Sequence, residues 1–347
     1  NPSSFTPYHR TPWAGTVIAN YYKKHFAKGE SEIGESWDFS CDPDLPSRTL
    51  GTNEELVELI KKDPGAAMSD FQVKKNKGQC EILVKILDTA KPLSLQVHPH
   101  DSNPKLKKNE SGKYESWYVL KAKKKSGIYL GFSRQLANNE LRNILMNHPD
   151  EALECLYFVN VKPGDYFEIP PGVPHAIGPE VTLLEPQRVQ FGKSGKTYRM
   201  WDWGRKYDKD GHENPKGRPR ELHLDPGLEL INPMDQVGEK FVSKLRKTSK
   251  ISKPLSGVSV HSFPTNHFYQ IHIIQTESKA EFRLNIANGF GAIIVLKGHL
   301  KMGLKNQSLK TGQPAFLPHS ACPLSCKSAA QSQFALVTPA GSQLEIS

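Results

Sequence analysis

The sequence predicts a mainly β protein made of two successive β-units, with a few helices set in or beside the first. Three observations carry this. Pro and Gly each occur 26 times in 347 residues, a turn-rich level that favours many short strands over long helices. Short segments alternating apolar and polar residues recur from residue 80 onward, the period of a strand with one buried face. A polar, Gly- and Pro-rich stretch at 206–220 and a basic connection at 226–255 split that series in two. Domains are therefore expected at 1–230 and 231–347.

Each element follows in order. Thr52 or Asn53 is expected to cap a helix over 54–62, where Leu56, Val57, Leu59 and Ile60 form one stripe. Residues 80–87 read as a strand through Ile82, Val84 and Ile86. Along 93–98, Leu93, Leu95 and Val97 share one face, and Ser94, Gln96 and His98 the other. Strands at 116–120 and 128–132 precede a helix over 136–146 that can continue after Pro149. Strands at 156–161, 166–169, 175–177, 182–185 and 198–203 complete the first unit, with tight turns at Lys162-Pro163-Gly164-Asp165 and Pro170-Pro171-Gly172. The second unit is read from Val258 onward, with strands at 267–274, 280–284, 291–297, 300–303, 313–317 and 333–337.

Charge and cysteine usage exclude several functions. The net charge of +10 raises nucleic acid as a partner. The basic runs at 105–108, 121–125 and 244–247 are short, however, and carry no interleaved aromatics for base stacking. They read as solvated faces. No apolar run approaches the roughly 20 residues of a membrane span. The stretch Asn1-Pro2-Ser3-Ser4-Phe5-Thr6-Pro7 has no basic and apolar signal segment, so a cytoplasmic location is expected. The five cysteines are odd in number and widely spaced, which is no disulfide framework. Cys322, Cys326 and His319 lie near one another in sequence but lack a second ligand pair, so the cysteines read as packed small hydrophobes.

The strongest local signal is Gln96-Val97-His98. Residues two apart on a strand point the same way, which aims an amide oxygen and an imidazole at one space. Glu115 offers a carboxylate at a strand start, and His175 follows the Pro-Pro-Gly-Val-Pro turn. Two imidazoles, a carboxylate and an amide oxygen make a borderline donor set that accepts Zn²⁺, with Fe, Mn and Co open. Strand alternation by itself couples only Gln96 with His98.

Longer motifs join the rest. Pro92-Leu93-Ser94-Leu95-Gln96-Val97-His98-Pro99, Gly112-Lys113-Tyr114-Glu115-Ser116-Trp117-Tyr118 and Pro170-Pro171-Gly172-Val173-Pro174-His175-Ala176-Ile177-Gly178 resemble the type I mannose-6-phosphate isomerases, most of all their compact bacterial branch. Trp13-Ala14-Gly15, Ile33-Gly34-Glu35-Ser36-Trp37 and Leu83-Val84-Lys85-Ile86-Leu87-Asp88 match as well. The resemblance runs in register over roughly residues 5–225 and in pattern only beyond. It implies a bicupin, two jelly-roll barrels of which the first binds one Zn²⁺ through Gln96, His98, Glu115 and His175. It implies interconversion of mannose 6-phosphate and fructose 6-phosphate, with Lys113, Glu185 and Arg199 in the active site. Arg205 falls on a basic phosphate-binding position and Ser94 on a phosphate contact. The implied partner is a small sugar phosphate, with no nucleic acid or membrane, in a monomer or homodimer.

The chemistry suits these residue types. An aldose–ketose isomerase moves a proton between C1 and C2 through an enediol. A base must take the carbon-bound proton and cations must hold the developing oxyanion. Glu185 or Lys113 can be that base, and the residues leave the choice open. Lys193 and Lys196 read as exposed loop. The segment 186–196 is longer than in the compact branch, which supports an alternative, a non-catalytic sugar-phosphate-binding or regulatory bicupin. In the second unit His272, His299 and His319 have no Gln-x-His pair and no partner carboxylate, so that barrel is expected to be metal-free.

Overall fold

The computed structural model describes residues 3–303, 307–329 and 331–347. It shows two β-sandwiches in series, each with one six-stranded and one five-stranded sheet, as a bicupin requires. In the first unit the six-stranded sheet runs Glu35–Phe39, Ile82–Asp88, Val181–Arg188, Tyr114–Ala122, Tyr166–Ile169, Arg246–Lys247. Its five-stranded partner runs Tyr198–Trp201, Leu95–Val97, His175–Ile177, Gly127–Phe132, Leu156–Asn160.

Burial on two faces explains the composition of Ile82–Asp88. All seven of its residues are buried. Ile82, Val84 and Ile86 point outward and join a cluster with Ile271, Ile273, Phe290, Ala292 and Val337 of the second unit. Leu83, Lys85 and Leu87 face the interior of the first barrel and line its cavity. The two six-stranded sheets thus pack back to back. Alternation alone would leave one face polar; here the second barrel supplies the cover.

The five-stranded sheet is covered differently. The helices Asn138–Asn147 and Pro149–Cys155 are inserted between its last two strands. Leu141, Ile144 and Leu145 pack on Leu95 and Val97, the outward side of the ligand-bearing strand. That leaves Gln96 and His98 for the interior.

Three expectations change. The first helix is Leu56–Lys62, and neither Thr52 nor Asn53 caps it. Asn53 sits at φ 58 in a turn in which Thr49 N–H bonds the Glu54 carbonyl at 2.8 Å. Two short helices follow, Pro64–Met68 and Asp70–Asn76, which the apolar pattern did not reveal. Asp63 and Ser69 cap them. The stretch 226–255 is also more than connection: it holds Gly238–Leu245, Arg246–Lys247 and Lys250–Leu255. Val242 and Leu245 enter the first unit's core, and Arg246–Lys247 pairs with Tyr166–Ile169. We therefore propose the domain boundary near residue 248 rather than at 230/231. No helix is long and apolar enough to cross a membrane among the described residues.

Candidate active site and metal centre

Three strands and two turns bring the ligand candidates together. Gln96 lies opposite His175 in the ladder, and His98 follows at the strand end. The Pro170-Pro171-Gly172 turn delivers His175. Gly172 takes φ 83, which suits glycine, and its N–H bonds the His98 carbonyl at 2.9 Å. Glu115 points inward from Tyr114–Ala122. Gly112, just before Lys113, allows the 99–101 backbone to pass where a Cβ would sit 2.5 Å from the Asp101 nitrogen.

The imidazole and carboxylate atoms of His98, Glu115 and His175 lie within 4.8 Å of one another, and all three residues are buried. His98 Nε2 is 3.2 Å and His175 Nε2 3.3 Å from the two Glu115 oxygens. The other ring nitrogens face main-chain carbonyls: His98 Nδ1 is 3.2 Å from Lys196 O and His175 Nδ1 2.8 Å from Val173 O. Carbonyls only accept, so both Nδ1 atoms carry the protons and both Nε2 lone pairs face Glu115. Burial first, then Lys113, lowers the His98 pKa to about 3. Burial likewise lowers that of His175. Lone pairs therefore confront carboxylate oxygens with no proton between them, and His98 Nε2 has no hydrogen-bond partner. This donor set fits a divalent cation. Gln96 Nε2 donates to Ser94 Oγ at 3.0 Å, which leaves its amide oxygen to accept.

Beside the ligands lies a cavity of about 380 Å³. Lys113 and Gln187 line it and reach back to Glu115, at 2.9 and 3.1 Å. Glu185 also lines it, held by Trp117 Nε1 at 3.1 Å and Gln187 Nε2 at 2.5 Å. Burial, then the Glu115 charge, raises the Glu185 pKa to about 8. Burial opposes the charge of Glu115 as well, but the Lys113 ammonium outweighs it and holds that carboxyl well below its usual range. Glu115 and Glu185 in turn raise the Lys113 pKa against its burial.

Arg199 lines the cavity as expected, with its Nη1 on the Glu221 carbonyl at 2.8 Å. Arg205 and Ser94 do not line it. Arg205 is turned onto Asp202 at 2.7 Å, and Ser94 holds the amide of Gln96. Three cavity cations lie outside the sequence expectation, Arg10, Arg220 and Lys85. Arg220 lines the wall with its guanidinium fixed to both Asp202 oxygens at 2.8 Å. Lys85 stands across the ladder from Glu185, 3.7 Å from Glu35 and 3.8 Å from the Trp37 ring centre. The signal for Lys85 was a single lysine inside an otherwise apolar strand.

The family model for phosphomannose isomerase type I, catalytic domain, matches residues 7–124. The mannose-6-phosphate isomerase ManA of Bacillus subtilis is 32% identical over 226 residues, which span 63% of this chain and 64% of that protein; the match thus covers less than two thirds of the relative. A solved mannose 6-phosphate isomerase from Bacillus subtilis superposes with a TM-score of 0.74 at 22% identity, covering 94% of this chain and 95% of its own. A mannose 6-phosphate isomerase solved with zinc and yttrium bound has the same fold, at TM-score 0.70, 15% identity and 97% of both chains. Residues 7–124 thus match the catalytic domain of that family, and the whole chain shares the fold of these solved isomerases.

Within that fold the long segment after Glu185 has a visible job. Ser194–Gly195 pairs with Glu110–Ser111 as a short parallel ribbon, and Lys196 Nζ bonds Glu110 at 2.8 Å. The loop is thereby fastened over Lys113, where a Cβ on Gly195 would meet the Lys113 chain at 3.0 Å. It also presents the Lys196 carbonyl to His98. Lys196 is thus tethered rather than free in solvent.

Proposed function

We propose that the chain is a zinc-dependent aldose–ketose isomerase that interconverts mannose 6-phosphate and fructose 6-phosphate by proton transfer through an enediol. The observation that carries this is the buried His98–Glu115–His175 donor set beside a cavity that holds Glu185 and Lys113 near the ligands and Arg199 and Arg220 in its wall. We assign one Zn²⁺ to His98, Glu115, His175 and the amide oxygen of Gln96, a mixed imidazole and oxygen donor set that suits this ion. An ion held there would supply Lewis-acid stabilisation of a bound sugar oxygen.

The remaining work falls to side chains. Glu185 removes the proton from C2 of the aldose and returns it to C1; its raised pKa places it near neutrality, where a general base works best. Trp117 and Gln187 fix both of its oxygens. Lys113 offsets negative charge as the enediol forms. Arg199 and Arg220 anchor the phosphate, and the fork on Asp202 orients Arg220 for two parallel hydrogen bonds. Ser94 positions the Gln96 amide.

A coupled assay on mannose 6-phosphate tests this, run on wild type and Glu185→Gln with metal content measured on both. Turnover by wild type and its loss in the variant at equal zinc supports the reading. Full activity in chelated, metal-free protein, or sugar-phosphate binding without turnover across Zn, Co, Mn and Fe, sinks it.

A further inference from the structure

The strand Val181–Arg188 contains a proline, Pro186, and the hydrogen bonding of the neighbouring ladder lapses there while its register holds. Leu183 and Leu184 pair with Val119 and Tyr118, and Gln187 and Arg188 pair with Glu115 and Tyr114, whereas Glu185 and Pro186 have no partner on that side. A proline lacks the N–H a ladder needs and is disfavoured inside a sheet. The gap takes in Glu185 itself and adjoins the Gln187–Glu115 pair.

A side chain from the second barrel fills it. Tyr269 is fully buried. Its hydroxyl donates to the Pro186 carbonyl at 2.8 Å and lies 3.0 Å from Ser116 Oγ. The phenol has one proton, which goes to Pro186, so Ser116 donates to the phenol oxygen. One oxygen thereby latches two strands where their own hydrogen bonds fail. On the opposite face of the same residues, Trp117 Nε1 holds Glu185.

We propose that Tyr269 is a positioning residue for the isomerase: it acts across the barrel interface to hold Glu185 relative to Glu115. This rests on Glu185 being the reacting carboxylate. It gives the metal-free barrel a direct part in the reaction geometry, since a shift of about 1 Å in a reacting group is enough to slow a reaction strongly.

Tyr269→Phe tests it, because the ring stays and only the hydroxyl goes. In the full chain, kcat falls about tenfold with KM and zinc content unchanged. Ser116→Ala gives a smaller fall, and the double variant is no worse than Tyr269→Phe alone, since both remove the same latch. The indole N–H resonance of Trp117, identified by its loss in Trp117→Phe, moves in Tyr269→Phe. Ile273→Val, a cut in the same strand and interface, leaves kcat and that resonance in place. An unmoved indole resonance in Tyr269→Phe, equal loss of kcat in Ile273→Val, or additive losses in the double variant would overturn the proposal. The resonance reads the latch even if the wild type proves not to isomerise the sugar, so the two readings fail separately.

Discussion

The two barrels share a plan and differ in what fills them. In each, a central strand lies between two long antiparallel neighbours: Val181–Arg188 in the first, Ser332–Pro339 in the second. The first barrel's interior presents Lys85, Gln96, Lys113, Glu185 and Gln187 to a cavity. The corresponding space in the second is packed with Val260, Ile274, Leu284, Ile293, Val295, Phe334 and Leu336. Its inward His272 is satisfied by Ser262 Oγ at 2.8 Å, and no metal-ligand cluster occurs there among the described residues. The same sheet pair therefore serves either as a container for charge or as an ordinary core. Side chains at inward positions decide which, and the strand order does not.

That contrast can be broken most severely at the ligands. Glu115→Gln, or removal of the metal with a chelator, is expected to lower kcat by on the order of 10³-fold. Zinc content by elemental analysis tracks the loss, and activity returns on adding zinc to chelated wild type. Next, Glu185→Gln should cost about 10²–10⁴-fold in kcat with zinc retained. The pH dependence has a definite sign. The folded protein keeps a proton on Glu185 up to about pH 8, which the unfolded chain releases earlier. Stability of the metal-free protein therefore falls as pH rises through that window. Thermal melts across it should show a shallower fall for Glu185→Gln.

In the packed barrel the effects move from rate to stability. Leu336→Ala should cost about 2–5 kcal/mol, read by denaturant melts, with kcat per folded molecule unchanged. His272→Ala should cost only about 1 kcal/mol for the lost hydrogen bond and leave both zinc content and kcat alone. Zinc loss in His272→Ala would show that the interior of the second barrel is more than the ordinary core described above.

The sequence reading was strongest where local pattern and geometry coincide. Gln96 and His98 shared a strand face and do so in the fold, because Leu95 and Val97 are committed to the inserted helices. The cavity cations were harder. Arg199, Arg205 and Arg220 all lie near Asp202, and which guanidinium faces the substrate space depends on how the 202–220 loop closes. No spacing rule contains that: the resemblance points to Arg205, whereas Arg220 is the one of the two that lines the cavity. Lys85 was hidden for another reason. Its strand was read through Ile82, Val84 and Ile86, and those turn out to mark the barrel interface, so the functional face was the other one. The helices at 64–76 were missed because each is too short to show a period.

The back-to-back packing of the six-stranded sheets has a practical consequence. The sheet bearing Lys85 and Glu185 cannot be excised as a stand-alone catalyst. Cutting the chain near residue 248 would expose Ile82, Val84, Ile86 and Leu184 on one fragment and Ile271, Ile273, Ala292 and Val337 on the other, two adhesive surfaces of matching shape. Expressed alone, each half is expected to aggregate; expressed together, they are suited to find each other, which makes this fold a natural starting point for a split enzyme whose activity reports reassembly.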